Sequence, residues 1–290
     1  MEIYDQTTSN RRKSWILLFT FFIIMFILGW VISSMWGLGI PGLIVIMVLT
    51  VIYMIVMYYF LGSTMILSVN NAHEAKKQDY PYLFNTVEGL SIAAGVPMPK
   101  VYVINDPSPN AFATGRDPQH SSVAVTTGLL ERLNRLELEG VIAHELSHIK
   151  NYDIRYTLIV IAMVGAIGIL AGFASRMWLY GGGHRNKNSG ALIIIALIIG
   201  ILAPIIAQMI RLAISRKREY MADASGALIT RYPKGLADAL RKISQAPPMK
   251  SADETSAQLY ISNPFGKKFL GSLFSTHPPI EDRIKALEAM

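Results

Sequence analysis

The sequence predicts an α+β protein in which four membrane-spanning helices carry a mostly helical polar domain with a small sheet. Three observations lead there. Charge is scarce: 52% of the 290 residues are hydrophobic and 16% charged, against roughly 25% charged in ordinary globular proteins. The charge-free stretches are long enough to cross a bilayer. Between and after them, helical periodicity alternates with short Val- and Ile-rich runs bounded by turn residues.

No Asp, Glu, Lys, Arg or His occurs from Ser14 to Ala72. A spanning helix needs about 20 apolar residues, so this run holds two spans, with Ser33–Gly42 (SSMWGLGIPG) as the turn between them. The first apolar segment is longer than the roughly 7–15-residue core of a signal peptide and a second follows at once, so an uncleaved anchor is expected. Tyr156–Ser175 and Asn188–Ile210 are also charge-free and supply the third and fourth spans. The expected division is 1–61 for the first two spans, 62–155 for the first part of the polar domain, 156–210 for the last two spans, and 211–290 for the second part.

Orientation follows from the basic flanks. Arg11, Arg12, Lys13, Arg155, Arg211, Arg216, Lys217 and Arg218 fall on one face, together with both termini and the polar domain. Arg176, Arg185 and Lys187 fall on the other. Lys and Arg collect on the cytoplasmic side, which places the polar domain there. Attraction of such flanks to anionic headgroups also accounts for the net charge of +7. No basic-aromatic recognition module is present, so nucleic acid is not an expected partner. The absence of cysteine excludes disulfides and thiolate metal sites.

Along the polar domain, Asn70–Val96 has helical spacing and stops at Gly95 and Pro97. Lys100–Asp106 (KVYVIND) alternates and reads as a strand, as do Asn110–Gly115 and Ser121–Gly128, which RDPQH joins. Leu130–Asp153 is helical. Beyond the fourth span, Ile214–Thr230 and Pro233–Gln245 read as helices, Ala246–Lys268 as a Pro-, Ser- and Lys-rich loop, and Pro278–Met290 as a short helix with Pro at its start.

Chemistry concentrates in Val141–Lys150 (VIAHELSHIK). Residues four apart project from one helix face, so His144 and His148 are able to reach one metal ion. Glu145 is placed to contact a water on that ion without being a ligand, and the pattern His-Glu-x-x-His reads as two zinc ligands and a general base. The competing reading is a packed helix with two incidental histidines. A catalytic zinc keeps three protein ligands and an open position. Ile154 and Asn151 stand where a third-histidine extension would need His and Gly, so the third ligand comes from elsewhere. EYMAD offers Glu219 and Asp223 on one helix face: Glu219 as ligand, Asp223 as acceptor for a ligand histidine's other nitrogen. For Glu219 the plainer reading is a surface carboxylate beside Arg216.

NAFATG (110–115), AHELSHIKNYD (143–153), SRKREYMADASG (215–226) and STHPPIEDRI (275–284) occur in that order. In these segments and in its four-span layout the chain resembles, over essentially its whole length, the HtpX-type membrane zinc endopeptidases. These are relatives of the eukaryotic protease that processes prenylated CAAX proteins. The resemblance implies a gluzincin-like domain with one Zn²⁺ on His144, His148 and Glu219 and with Glu145 as base. It implies that Asn110, Ala111 and Phe112 form an edge strand that pairs with substrate backbone, and that Arg283 and His277 support the site. His277, on its HPP turn, is the candidate oxyanion stabiliser, with an ordinary loop histidine as the competing reading. Tyr152 stands where close relatives are expected to carry a small residue.

The activity implied is hydrolysis of damaged or misfolded membrane proteins in a stress response, in a bacterial plasma membrane with the active site cytoplasmic. The expected partners are the lipid bilayer and unfolded or membrane-protein substrates. A dedicated processing protease for one lipidated or small membrane substrate is the alternative enzyme reading. A catalytically silent membrane scaffold is the alternative of another class, and the intact Glu145 argues against it.

Overall fold

The computed structural model describes residues 3–180, 216–250, 252, 256–265 and 278–290. Helix α1 (Ile3–Met35) and helix α2 (Gly39–Val56) form an antiparallel hairpin. Gly37 and Gly39, at φ +67° and +57°, make its turn, a conformation costly for residues with a Cβ. A π-helical turn (Met57–Leu61) and helix α3 (Gly62–Val69) continue α2 without a break. The continuous helix therefore runs past the division expected at residue 61. At the end of the π turn, a Cβ on Gly62 would meet the Met57 carbonyl at 2.5 Å and Leu158 at 2.6 Å, so only glycine fits.

Three described stretches are long and apolar enough to cross a membrane: Ser14–Ser34, Gly39–Val69 and Asp153–Leu170. The last lies in helix α7 (Asp153–Tyr180), three elements on from the sheet described below. The fourth expected span, Asn188–Ile210, lies outside the described residues. Phe21, Met25, Met57, Val160 and Met163 pack these helices together. Trp15, Phe19, Ile40 and Phe60 point outward and stay exposed, as lipid-facing residues do.

The polar domain begins differently from its sequence pattern. Asn70–Val96 is not one helix. Asn71 adopts a left-handed conformation (φ +52°) that ends α3, and β1 (Ala72–Glu74) pairs antiparallel with Tyr102–Ile104. Helix α4 (Pro81–Ala94) starts only at Pro81, whose ring is preset for a first helical turn, and Gly95 at φ +70° closes it. The strands β2 (Lys100–Ile104), β3 (Ala111–Asp117) and β4 (His120–Thr126) follow the alternating runs. Their order is β1-β2-β4-β3, with β2 parallel to β4 and β3 antiparallel to it at the sheet edge.

Both faces of the sheet are covered, because alternate residues point to opposite sides. Val101, Val103, Ala111, Val123 and Val125 join the helical core. Ile104, Phe112 and Ala124 pack on Ile66, Leu158 and Tyr260, towards the membrane helices.

The expected helix Leu130–Asp153 is divided. Helix α5 (Thr127–Arg132) is capped by the Thr126 hydroxyl, and helix α6 (Arg135–Lys150) starts at a capping box. There Asn134 accepts from the Glu137 N–H at 3.1 Å and Glu137 accepts from the Asn134 N–H at 2.8 Å. Helices α8 (Arg216–Thr230), α9 (Pro233–Ser244) and α10 (Ile280–Glu288) complete the described α-helices.

Helices α6 and α9 cross with their backbones in contact. A Cβ on Gly140 would lie 2.6 Å from the Leu236 nitrogen, and one on Gly235 would lie 2.5 Å from the Leu136 carbonyl. Neither neighbour is a movable side chain. Gly140→Ala is therefore expected to destabilise the purified protein by about 1–3 kcal/mol, the usual cost of overpacking. Gly89→Ala, on an open face of α4, is expected to leave stability unchanged or raise it by up to about 1 kcal/mol. Thermal unfolding in detergent compares them; equal midpoints would contradict the close crossing.

Candidate metal centre

Helix α6 carries His144 and Glu145 into the interior, each 1% exposed. The two histidine rings stand edge to face, 4.7 Å between centroids at 89°, and the Nε2 atoms face each other at 3.1 Å. Their outer nitrogens meet carboxylates. His148 Nδ1 lies 3.0 Å from Asp153 Oδ2 in a hydrogen bond. His144 Nδ1 lies 2.9 Å from Asp223 Oδ1, a close polar contact that falls short of an aligned hydrogen bond. With Nδ1 of each ring turned to a carboxylate, both Nε2 lone pairs are directed at one point, which needs a positive charge to be stable.

Glu219 supplies the third side of that point. Its carboxylate oxygens lie 3.8 Å from His144 Nε2 and 3.7 Å from His148 Nε2. Ligand bonds of about 2.0–2.2 Å at tetrahedral angles put donor atoms about 3.3–3.6 Å apart. The observed 3.1–3.8 Å brackets that spacing, so His144, His148 and Glu219 are able to hold one divalent ion. Gly226 makes the approach possible, because α8 lies against the backbone of α6 there. A Cβ at this position would stand 3.1 Å from the His144 nitrogen.

The electrostatics agree. Burial alone would lower the His148 pKa, but the Asp153 hydrogen bond and the charges of Glu219, Asp153 and Glu145 lift it to about 9. The site is negative enough to demand a cation, whether proton or metal. Burial lowers the pKa of His144, with Asp223 acting in the other direction. Burial raises Glu145 to about 7, against the opposing pull of His148, Arg283 and the nearby Ala113 main chain. Neither Glu145 carboxylate oxygen makes a well-aligned hydrogen bond among the described residues, and the Ala113 main chain gives it only a weaker polar contact. An acid held in this way is suited to taking and returning a proton near neutral pH.

Asp223 is itself fixed. Arg283, fully buried, donates to both its oxygens, Nε to Oδ2 at 2.8 Å and Nη2 to Oδ1 at 2.7 Å. Burial would raise the Asp223 pKa, but Arg283 and His144 hold it well below the usual carboxylate range. Arg283 Nη1 also stands 3.6 Å from Glu219. The structure thus brings Glu145, His144, His148, Glu219, Asp223 and Arg283 into one cluster.

The sequence reading did not include Asp153, the orienting carboxylate of His148. Its signal was present: an acid five residues after His148 at the start of an apolar helix. Arg218 lies 3.9 Å from Asp153 and 4.4 Å over the Tyr156 ring. Tyr152, just before Asp153, has φ +59°, which explains why a small residue is expected there.

The predicted edge residues are less alike than they looked. The Asn110 carbonyl accepts from the Thr126 N–H at 3.0 Å, so Asn110 faces β4, and by alternation Phe112 does too. Ala111 and Ala113 turn their N–H and C=O groups to the open edge. The Ala111 carbonyl already accepts from Ile261 N–H at 2.9 Å. The Asn110 side chain donates to the Ser262 carbonyl at 3.0 Å. Ala113 lines the cleft beside Glu145, His148 and Glu219. His277 lies outside the described residues.

A buried His-Glu-x-x-His helix completed by a carboxylate on a second helix defines a metallopeptidase site. The model for peptidase family M48 matches residues 77–290, and the chain belongs to that family. Among curated proteins it is similar to the protease HtpX homolog of Dictyoglomus turgidum, 50% identical over 288 residues, covering 99% of this chain and 94% of that one. It is 47% identical over 302 residues to the protease HtpX homolog of Lactobacillus acidophilus, covering 99% of this chain and all of the other. The crystal structure of Ste24p from S. mikatae superposes with a TM-score of 0.55 at 19% identity, covering 98% of this chain and 67% of that one, a likeness of fold.

Removing His144, His148 or Glu219 by substitution with Ala is expected to abolish stoichiometric metal while the protein stays in the membrane fraction. Asp153→Asn is expected to weaken metal retention against a chelator about 10–100-fold, as loss of a ligand's hydrogen-bond partner does. Asp223→Asn removes a charge from a buried pair as well, so it is also expected to cost about 3–5 kcal/mol of stability. Metal analysis and thermal unfolding of the purified variants separate the two. Full metal content in Glu219→Ala would refute the third ligand.

Proposed function

We propose that the protein is a membrane-bound zinc endopeptidase that hydrolyses damaged or misfolded membrane proteins from the cytoplasmic side. The observation that carries the reading is the pair of Nε2 atoms facing each other at 3.1 Å, with the buried Glu145 carboxylate, which makes no aligned hydrogen bond, beside them. A zinc ion held by His144, His148 and Glu219 would polarise the scissile carbonyl and make water nucleophilic near neutral pH. Glu145 takes the proton of the attacking water and returns it to the leaving amine. Asp153 and Asp223 keep both imidazoles oriented, and Arg283 keeps Asp223 ionised. His277 is retained as the candidate second donor to the oxyanion.

The substrate class follows from the edge of β3. A strand added there is held through main-chain groups, which makes little demand on side-chain sequence. Of the edge positions proposed from sequence, Ala111 has both main-chain groups taken, its N–H by Asn110 Oδ1 at 3.1 Å and its carbonyl by Ile261, so the edge left to a substrate strand begins at Ala113. Asn110 and Phe112 act by shaping that edge. The site also lies at the mouth of the membrane helices, because Asp153 begins α7 and a candidate span. That nearness supports a substrate segment emerging from the bilayer.

In this reading 62–155 and 211–290 carry the cytoplasmic domain and 1–61 and 156–210 the membrane part, except that the candidate spans reach into the first of these, to Val69 at its start and from Asp153 at its end. The α1–α2 hairpin returns the chain to the side from which it entered, and the basic flanks make that side cytoplasmic.

Glu145→Gln is expected to retain zinc and lose peptide hydrolysis by at least about 10²-fold, as loss of a general base does. Hydrolysis at the wild-type rate would end the mechanism. In intact cells, an impermeant thiol reagent is expected to label Leu38→Cys, in the hairpin turn, and to miss Gln119→Cys, on the exposed β3–β4 turn. The reverse pattern would invert the topology.

A further inference from the structure

One wall of the cleft belongs to a segment that the catalytic machinery does not account for. Residues 256–262 form a strap across the open edge of β3, with a 3-10 turn at Ala257–Leu259. Gln258 and Leu259 line the same cleft as Ala113, Glu145, His148 and Glu219. The Gln258 side-chain oxygen is buried and has no hydrogen-bond partner among the described residues. A buried amide oxygen is stabilised by any donor that reaches it.

The strap is held on both sides of that residue. Before it, the Ser256 hydroxyl donates to Asn70 Oδ1 at 3.0 Å. After it, the Tyr260 hydroxyl donates to the same oxygen at 3.0 Å, and its ring stands edge-on to Phe112 at 5.0 Å. Ile261 donates its N–H to the Ala111 carbonyl at 2.9 Å and accepts from Arg283 at 2.9 Å. With the Asn110 side chain also donating to the Ser262 carbonyl, the strap is tied down on both sides of Gln258.

We propose that Gln258 is a substrate-binding residue whose side-chain oxygen accepts a main-chain N–H of the peptide lying along the Ala113 edge of β3. The peptide is then held from both walls, by the strand edge on one side and the strap amide on the other. Recognition stays independent of side chains, because each wall addresses only the substrate backbone. Ile261, seated on Ala111, ends the free edge on that side, so the Gln258 contact replaces strand pairing that the strap has closed off. The proposal deepens the endopeptidase reading and rests on it.

Amide-to-ester substitution tests it, since an ester lacks the N–H but keeps the length of the chain. The full-length protein in detergent is assayed with a peptide whose cleavage is lost in Glu145→Gln; absence of such cleavage would count against the endopeptidase reading itself. Each main-chain amide near the cleaved bond is then replaced in turn. Gln258→Met keeps the side-chain length and removes the acceptor. It is expected to raise KM about five- to tenfold, the factor that one hydrogen bond contributes, with kcat and zinc content near wild type. In the wild type, an ester at one position is expected to raise KM by a similar factor, and in Gln258→Met that same ester is expected to have no further effect. An unchanged KM in Gln258→Met, or ester losses equal in both proteins at every position, would overturn the assignment and leave water as the partner of Gln258.

Discussion

Two imidazole Nε2 atoms held 3.1 Å apart, with Nδ1 of each ring turned to a carboxylate, form one site that favours a positive charge between them. The rest of the domain is arranged around that site. Helix α6 fixes the spacing of His144 and His148, and Asp223 and Asp153 fix which nitrogen of each ring points inward. Helix α8 brings Glu219 to the open side, and Gly226 lets it come that close. Arg283 then balances the carboxylate that would otherwise be left buried and unpaired, the costly outcome in a low-dielectric interior. Each element answers a charge that the previous one creates.

The cluster also joins the two parts of the molecule. Asp153 orients a histidine and opens the helix that enters the apolar bundle, so the chemistry is anchored where the membrane segment starts. On the other side, Arg283 donates both to Asp223 and to the Ile261 carbonyl, which ties the strap over the β3 edge to the orientation of His144. One buried guanidinium therefore contacts both the metal-site cluster and the cleft wall.

Much of this was legible from sequence because it is written in spacing. Charge-free runs mark the membrane helices, the four-residue interval marks the two histidines, and the same interval links Glu219 and Asp223. Sequence failed where the determinant is long-range or a single backbone angle. β1 pairs over only three residues, too few to show alternation, and its segment copied a helical pattern. The break before α6 hung on the reciprocal Asn134–Glu137 cap, which an uninterrupted helical pattern hides. The strap has the composition of a loop. Its place comes from contacts such as Asn70 with Ser256, 186 residues apart, and from the Ala111 carbonyl. Asp153 read as the end of one helix when it is the start of the next.

The central claim is that the gap between His144 and His148 is a metal site completed by Glu219. X-ray absorption at the zinc edge on the purified full-length protein tests it most directly, because the spectrum reports the donor atoms themselves. The account predicts one zinc per chain, with a nitrogen and oxygen shell at about 2.0–2.2 Å and the multiple-scattering signature of two imidazoles. A protein purified without chelator that holds no zinc, or a spectrum with one imidazole or none, would contradict it.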